Sequence, residues 1–267
     1  MPRRRLAPRS GNIEAVLSGD PPIVSRPLAP NQPWRVIPRV SSPSPQAPEP
    51  EGLLSAALII GLLAAAAALV FLTWLGHEVM AGITLAVDDR IRTGLHGLAS
   101  PPLTRVMEAS SLYGGPRGLL PLGFVLAIGF LLRGWRRGAL LVLVTMTGAG
   151  LLNLVLKDFF ARPRPEAYFG YPLPASNSFP SGHAFFAASF FGGLAALVNG
   201  RIRSHALRVT VWTAAGGLSL LVGLSRVYLG VHYPSDVAAG YAAAIIWVSA
   251  VAFGDRLVSH RRRRTAE

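Results

Sequence analysis

The chain has 267 residues, of which 51% are hydrophobic and only 15% are charged. Its mean hydropathy of +0.42 excludes a wholly disordered chain. Its low charge content argues against a soluble globule, since ordinary soluble domains carry about 25% charged residues. The formal net charge is +13, and the absence of cysteine excludes disulfides, cysteine zinc sites and thiol nucleophiles.

Residues 1–51 differ in composition from the rest of the chain. They contain 12 of the 22 prolines and seven arginines, with almost no helical periodicity. A Pro-rich polar tract buries too little apolar surface to offset the entropy that is lost on ordering. We therefore expect a disordered tail. It does not resemble a signal peptide, because no apolar run follows the arginines at its start.

Six apolar runs follow the tail, and the first has 23 uncharged residues from Leu53 to Leu75. At 1.5 Å per residue, such a run crosses a hydrocarbon core of about 30 Å. The other runs are Gly118–Leu132, Gly138–Leu156, Ala184–Asn199, Val209–Leu224 and Val237–Gly254. A soluble helical bundle is the alternative, but six runs leave too little polar surface for it. We predict an all-α fold, a six-transmembrane helical bundle at 52–258, with a basic cytoplasmic tail at 259–267.

A short amphipathic segment lies between the first two runs. Val87, Ile91, Leu95 and Leu98 recur at spacings of four, four and three residues, and charged residues fall between them. This pattern predicts a short helix in the membrane interface that ends at Pro101. A purely structural role is favoured over a role as a lipid-facing entrance.

The basic residues predict the orientation. If the N-terminus is cytoplasmic, 18 of the 26 basic residues lie in cytoplasmic segments and eight lie outside. The positive-inside rule then predicts a protein of the cytoplasmic membrane with both termini on the cytoplasmic side. Nucleic-acid binding is a poor explanation of the net charge, because the charge is divided among separate short loops. Attraction to anionic membrane lipids is a better one.

Three polar clusters interrupt the second half of the chain. They are Lys157–Pro165 at the end of the third run, Pro180–His183 before the fourth, and Ser225–Asp236 between the fifth and sixth. Counting membrane crossings places all three on the outer face. We therefore expect their side chains to form one extracytoplasmic site.

Together the clusters supply the groups that a phosphate site requires. The cationic donors are Lys157, Arg164 and Arg226. Arginine can hold phosphate oxygens through two parallel hydrogen bonds. Ser181 and Gly182 precede an apolar helix, whose N-terminal N–H groups and dipole favour an anion. The acid–base groups are two histidines and one carboxylate: His183, His232 and Asp236.

Each of these residues also has a structural interpretation. Basic residues at span ends commonly reach the lipid headgroups, a histidine at a span end is commonly interfacial, and Asp236 can cap the sixth helix. The prolines after Arg162 and Arg164 can simply end a helix. One observation favours function: the chain has 25 arginines and a single lysine, Lys157. That exception suggests a position where a compact ammonium is required.

The combination of motifs resembles the type 2 phosphatidic acid phosphatase family, whose superfamily includes vanadium haloperoxidases and glucose-6-phosphatases. The family pattern is Lys-x6-Arg-Pro, then Pro-Ser-Gly-His, then Ser-Arg-x5-His-x3-Asp. Every signature position is matched, by Lys157, Arg164 and Pro165, by Pro180, Ser181, Gly182 and His183, and by Ser225, Arg226, His232 and Asp236.

The resemblance implies a role for each residue. His232 is the expected nucleophile that forms a phosphohistidine, and Asp236 orients its imidazole from the same helical face. His183 is expected to protonate the leaving oxygen and then to activate water. The phosphate is expected to be held by Lys157, Arg164, Ser181, Gly182 and Arg226. Such a cationic cage requires no metal and no other cofactor.

The implied function is hydrolysis of a lipid phosphate or diphosphate, of the undecaprenyl diphosphate, phosphatidylglycerophosphate or phosphatidate class. The Arg- and Ala-rich composition slightly favours undecaprenyl diphosphate. The expected partners are this substrate and membrane lipids, without an obligatory protein partner. Three alternatives remain: a lipid phosphotransferase that uses the same phosphohistidine, a haloperoxidase, and a non-catalytic lipid-binding protein or transporter.

Overall fold

The computed structural model describes residues 56–265, so the predicted disordered tail at 1–51 lies outside the described residues. Within that range the chain forms eight helices and no strand. The helices are α1 (Ala56–Met80), α2 (Leu85–His96), α3 (Pro101–Gly114), α4 (Pro116–Leu132), α5 (Arg136–Phe160), α6 (Gly182–Asn199), α7 (His205–Tyr228) and α8 (Pro234–Arg264). The predicted all-α fold is confirmed.

Five of these helices, α1, α5, α6, α7 and α8, are long and apolar enough to cross a membrane. α3 and α4 pass the same test together, with a bend of 46° between them. The spans therefore number five, or six when the bent pair is one broken span. The run predicted to begin at Gly118 corresponds to α4. Residues 259–264, predicted as a tail, continue the helix of α8.

The bent pair differs from its sequence prediction in one respect. Pro101 was expected only to end the preceding segment, but Pro101 and Pro102 form the start of α3. Proline is well suited to that position, because the first N–H groups of a helix have no partner within the helix. The polar residues of α3 lower its hydropathy, so hydropathy alone does not predict it as part of a span.

Small residues allow the spans to pack closely around a shared core. α8 lies against α1 and α6, and α5 completes the group. The core between them contains Ala149 of α5, Phe185 of α6 and the successive alanines 242–244 of α8. Close approach of small residues is the usual basis of helix association in lipid. Large apolar side chains such as Leu63, Phe124 and Leu151 point outward and are exposed.

The predicted amphipathic helix is present as α2, and its residues differ in how far they are buried. Val87 and Ile91 have exposed fractions of 61% and 43%, whereas Asp88 and Arg92 are buried. Asp88 and Arg92 of α2 therefore pack against the protein, whereas Val87 and Ile91 point away from it. This arrangement places charged groups of α2 next to the residues described below.

Candidate active site

Four helix ends and two connecting segments converge at one end of the bundle. α5 and α7 end here, α6 and α8 begin here, and the connections are residues 161–181 and 229–233. All eight sequence-predicted site residues lie in this region: Lys157, Arg164, Ser181, Gly182, His183, Arg226, His232 and Asp236. The Ser181 N–H donates to the Asp236 carbonyl at 2.8 Å, which joins the starts of α6 and α8.

His232 and Asp236 form a buried pair. His232 Nδ1 lies 3.2 Å from Asp236 Oδ2, and His232 Nε2 lies 3.0 Å from Arg164 Nη1. Donation from Nδ1–H to the carboxylate leaves the Nε2 lone pair facing the guanidinium. The expectation that the pair shares one helical face is wrong, because α8 begins at Pro234 and His232 lies in the turn before it. The turn brings the imidazole to the carboxylate instead.

Asp236 also performs the capping role that the sequence left open. Its Oδ2 accepts a hydrogen bond from the Tyr233 N–H at 2.9 Å. A side chain in the first turn that binds back to the N–H before the helix is half of a capping box. The structural and the chemical interpretations of Asp236 are therefore compatible, since one carboxylate oxygen serves both contacts.

The electrostatic environment keeps the His232 imidazole neutral. Burial, followed by the positive charges of Arg164 and Arg226, holds the pKa of His232 well below its ordinary value of 6.5. Burial, followed by repulsion from Arg226, lowers the pKa of Arg164 to about 10. At neutral pH the imidazole is thus unprotonated, the form in which it is nucleophilic, while the arginine beside it keeps its charge.

Backbone carbonyls orient the two cations that lie nearest to this pair. Arg164 donates through Nε to the Ser176 carbonyl at 2.6 Å and through Nη1 to the Val231 carbonyl at 2.9 Å. Lys157 Nζ donates to the Asn177 carbonyl, and the Asn177 side chain donates back to the Lys157 carbonyl at 3.0 Å. The cations are held in place by neutral acceptors, which leaves their charge uncancelled.

Two buried donors in this region have no hydrogen-bond partner: Ser181 Oγ and Arg226 Nε. Ser181 is the residue before α6, and its hydroxyl makes no capping bond to the helix. At Gly182 an added Cβ would lie 3.0 Å from the Asn153 Nδ2 atom, so a side chain there would crowd the start of the helix. Unpaired buried donors beside uncancelled cations are suited to a ligand rich in oxygen, such as phosphate.

Sequence reasoning missed Arg162. It was counted only as an outside charge, yet its side chain is 6% exposed. Arg162 Nη1 donates to Asp236 Oδ1 at 2.6 Å, and Nη2 donates to Asp88 Oδ2 on α2 at 2.9 Å. The signal available in the sequence was the Arg-Pro-Arg-Pro run, of which Arg162 is the first arginine. No pattern in the sequence indicates Asp88.

The break between α3 and α4 also contributes to the site, and the sequence analysis did not assign it. Arg226 Nη1 donates to the hydroxyl of Ser111 on α3. At Gly115 an added Cβ would lie 2.4 Å from Nε2 of His183 and 2.7 Å from the Ser111 carbonyl oxygen. The backbone at the break therefore forms a wall against the His183 ring. The adjacent glycines 114 and 115 were the signal available in the sequence.

The geometry provides a neutral imidazole aimed at cations, a carboxylate that orients it, and a second histidine nearby. His183 lies within electrostatic range of Arg226, His232 and Arg164. Residues of these types in this arrangement can act as a nucleophile, its orienting partner, a proton carrier and anion stabilisers. Among residues 56–265, no group of three or more His, Asp or Glu side chains could hold a metal ion. The metal-free reaction stays a prediction.

Comparisons with known proteins agree on one superfamily. Residues 138–256 match the PAP2 superfamily. The chain is 32% identical over 183 residues to phosphatidylglycerophosphatase B of Bacillus subtilis (strain 168), covering 67% of this chain and 88% of that protein. It is 30% identical over 154 residues to an undecaprenyl-diphosphatase of Sulfolobus acidocaldarius, covering 55% and 68%. The crystal structure of a transmembrane PAP2 type phosphatidylglycerolphosphate phosphatase from B. subtilis superposes with a TM-score of 0.66 at 30% identity, covering 72% and 95%.

Proposed function

The chain belongs to the PAP2 superfamily of membrane phosphatases, and from that premise we propose that it hydrolyses a lipid phosphate or diphosphate through a phosphohistidine intermediate. One observation carries the proposal. His232 is bound to Asp236 through Nδ1 and presents Nε2 to Arg164 at 3.0 Å. A phosphate that takes the place of the imidazole as the partner of this guanidinium has its phosphorus within reach of Nε2.

The first chemical step forms the phosphohistidine. The Nε2 lone pair of His232 attacks phosphorus, the bond to the leaving oxygen breaks, and that oxygen takes a proton from His183. The imidazole gains positive charge, which Asp236 stabilises at Nδ1–H. Lys157, Arg164, Ser181, Gly182 and Arg226 stabilise the negative charge on the remaining phosphate oxygens.

The second step releases phosphate. His183, now neutral, takes a proton from water while the water oxygen attacks phosphorus. The phosphorus–nitrogen bond breaks, and its electron pair returns to Nε2 of His232. Both histidines then regain their starting protonation states, so the protein completes the cycle without a net change.

The position of the site favours a lipid substrate. The site lies at the ends of four spans, where a phosphate can sit at the membrane surface while its tail stays in the bilayer. The similar proteins are named for phosphatidylglycerophosphate and undecaprenyl diphosphate, so these two lipids are the first to test. The residues assigned above would contact only the phosphate group and not the lipid tail. Phosphatidate should therefore be tested together with these two lipids, as a panel of three.

The direct test is phosphate release from that panel by detergent-purified protein in EDTA. We expect release from at least one lipid, and none from that lipid with His232→Ala. Release that requires added Mg²⁺ or Zn²⁺ would contradict the metal-free mechanism. Transfer of the phosphate to a second lipid would instead identify a phosphotransferase, and bromide oxidation with vanadate and peroxide would identify a haloperoxidase. Lipid binding without any turnover would leave a non-catalytic binding protein.

The sidedness of the site is part of the proposal. Positive charge predicts that both termini are cytoplasmic and that His183 and His232 face outward. The chain has no cysteine, so single cysteines can report the topology. Ala175 precedes the start of α6 at the site end, Ser204 precedes α7 at the other end, and both are exposed. A membrane-impermeant thiol reagent should label intact cells carrying Ala175→Cys and not those carrying Ser204→Cys. The reverse pattern would place the chemistry in the cytoplasmic leaflet.

A further inference from the structure

A continuous chain of buried polar contacts joins α2 to the nucleophile. Asp88 Oδ2 accepts from Arg162 Nη2 at 2.9 Å, and Arg162 Nη1 donates to Asp236 Oδ1 at 2.6 Å. The opposite oxygen of Asp236, Oδ2, lies 3.2 Å from His232 Nδ1. Each of the four side chains is at least nine-tenths buried. Asp88 and His232, at the two ends of this series of contacts, are 144 residues apart in the sequence.

Ser235 closes the chain into a network at the start of α8. Its N–H donates to Asp88 Oδ1 at 3.0 Å and its hydroxyl donates to Asp88 Oδ2 at 2.6 Å. The same hydroxyl accepts from Arg162 Nη1 at 2.8 Å. Asp88 thus binds both the first turn of α8 and the arginine that holds Asp236. The carboxylate of Asp236 cannot rotate without breaking one of these contacts.

We propose that Arg162 and Asp88 are positioning residues for the nucleophile, an inference that rests on the proposed function. Arg162 donates to the oxygen of Asp236 that His232 does not use, which holds that carboxylate turned toward Nδ1. Asp88 in turn balances and orients the guanidinium. A buried ion pair contributes little net stability after desolvation, so stability alone does not account for three charges at this place.

The network also begins on a helix with an apolar outer face. Val87 and Ile91 are exposed on α2, whereas Asp88 on its other side is buried. The orientation of Asp236 therefore depends on α2 being docked against the start of α8. A substitution that leaves every phosphate contact intact, but weakens this docking, should slow the chemical step.

Kinetics on the lipid that the wild-type protein hydrolyses best provide the test. Asp88→Asn should lower kcat by about 10- to 100-fold, the usual cost of losing a group that orients a functional side chain, with KM changed less than about threefold. The matched control is Asp89→Asn, whose carboxylate contacts Arg92 and is 57% exposed. It should leave kcat and KM unchanged. A kcat for Asp88→Asn within threefold of wild type, or a KM that rises as much as kcat falls, overturns the proposal.

A smaller change protects the test against a folding failure. Ser235→Ala removes only the hydroxyl between Asp88 and Arg162, and should lower kcat by about two- to tenfold with only a small fall in the thermal midpoint. Arg162→Lys keeps the positive charge but loses the paired N–H donors of the guanidinium. It should retain more activity than Arg162→Gln. Should Asp88→Asn not accumulate, an unchanged kcat for Ser235→Ala overturns the proposal.

A readout without substrate separates this inference from the proposed function. In protein labelled with ¹⁵N-histidine, the Nδ1–H resonance of His232 is identified by its loss in His232→Ala. It should be present in wild type and Asp89→Asn, and shifted or lost in Asp88→Asn and Ser235→Ala. If the wild-type protein hydrolyses no lipid phosphate, the proposed function fails, but this resonance still tests whether the network orients His232. An unchanged resonance in both network variants overturns the positioning role.

Discussion

The two ends of the bundle use arginine in opposite ways. At the site end, the side chains of Arg162 and Arg226 are almost fully buried and bind partners on other helices. At the other end, Arg137 binds Asp255 through two hydrogen bonds of 2.6 and 2.7 Å, yet its side chain is 56% exposed. Arg201 lies over the Trp135 ring there, 3.5 Å from its centre.

We infer from this difference that the buried arginines support the proposed reaction and that the exposed arginines contribute to the predicted topology. A buried guanidinium loses its hydration and must recover that cost from fixed partners, so its position is closely determined. An exposed guanidinium stays hydrated and contributes mainly its charge, which suits a cytoplasmic surface. If this distinction is correct, substitutions at the two ends should differ greatly in their effects.

The largest expected difference is between two histidines. His232→Ala should abolish turnover, because no other group in the site is placed to attack phosphorus. His205 is exposed at the start of α7, at the opposite end of the bundle. His205→Ala is therefore the control and should hydrolyse lipid phosphate at the wild-type rate. Normal phosphate release by His232→Ala would remove the distinction between the two ends.

The next effect concerns the single lysine. Lys157→Ala should lower kcat by about 10²- to 10³-fold, by analogy with the loss of one donor to a developing oxyanion. Lys157→Arg should also be impaired, because a wider planar group replaces a compact ammonium at a buried position. Rates measured on the same lipid test both expectations. Full activity of Lys157→Arg would show that charge alone is sufficient there.

A smaller effect should appear in the pH dependence of stability. The pKa of His232 is lowered by burial first and by its positive neighbours second, so the unfolded chain binds this proton at a higher pH than the folded protein does. Stability from this group is present above pH of about 6.5 and is lost as the pH falls below it. Between about pH 7.5 and pH 5.5, the thermal midpoint of the wild type should fall more than that of His232→Ala. Equal falls would contradict the assignment.

The smallest effect is expected at the exposed ion pair. A double-mutant cycle on Arg137→Gln and Asp255→Asn should give a coupling free energy below about 1 kcal/mol, because water screens the pair. Turnover should be unchanged in all three variants. Thermal unfolding and lipid phosphatase assays measure the two quantities. A coupling as large as that of a buried pair would show that exposure is a poor guide to function in this bundle.

Hydropathy and motif spacing predicted much of this molecule. The long apolar runs identify the spans, and the count of crossings brings Lys157, His183 and His232 to one end. α3 escaped detection because its residues from Thr104 to Ser111 include charged and hydroxyl side chains, which depress hydropathy. Such a helix becomes recognisable only when its packing against α7 is known.

The contacts that support the site were not predictable for a different reason. Asp88 and Arg162 are 74 residues apart and meet through a fold, whereas a spacing rule describes only neighbours along the chain. Arg162 resembled any arginine at a span end until its burial was known. His232 was placed on a helix because a spacing of four suggests one, but the bonds of a turn satisfy the same spacing.

Gly115 has a consequence for how this protein can evolve. The glycine touches no substrate group in the proposed reaction and carries no functional atom, yet a methyl group there would collide with the His183 ring and with the Ser111 carbonyl. The catalytic role proposed for His183 would therefore restrict a residue that has no chemistry of its own. A lineage that acquires any other side chain at this position must move the bend between α3 and α4, or the His183 ring.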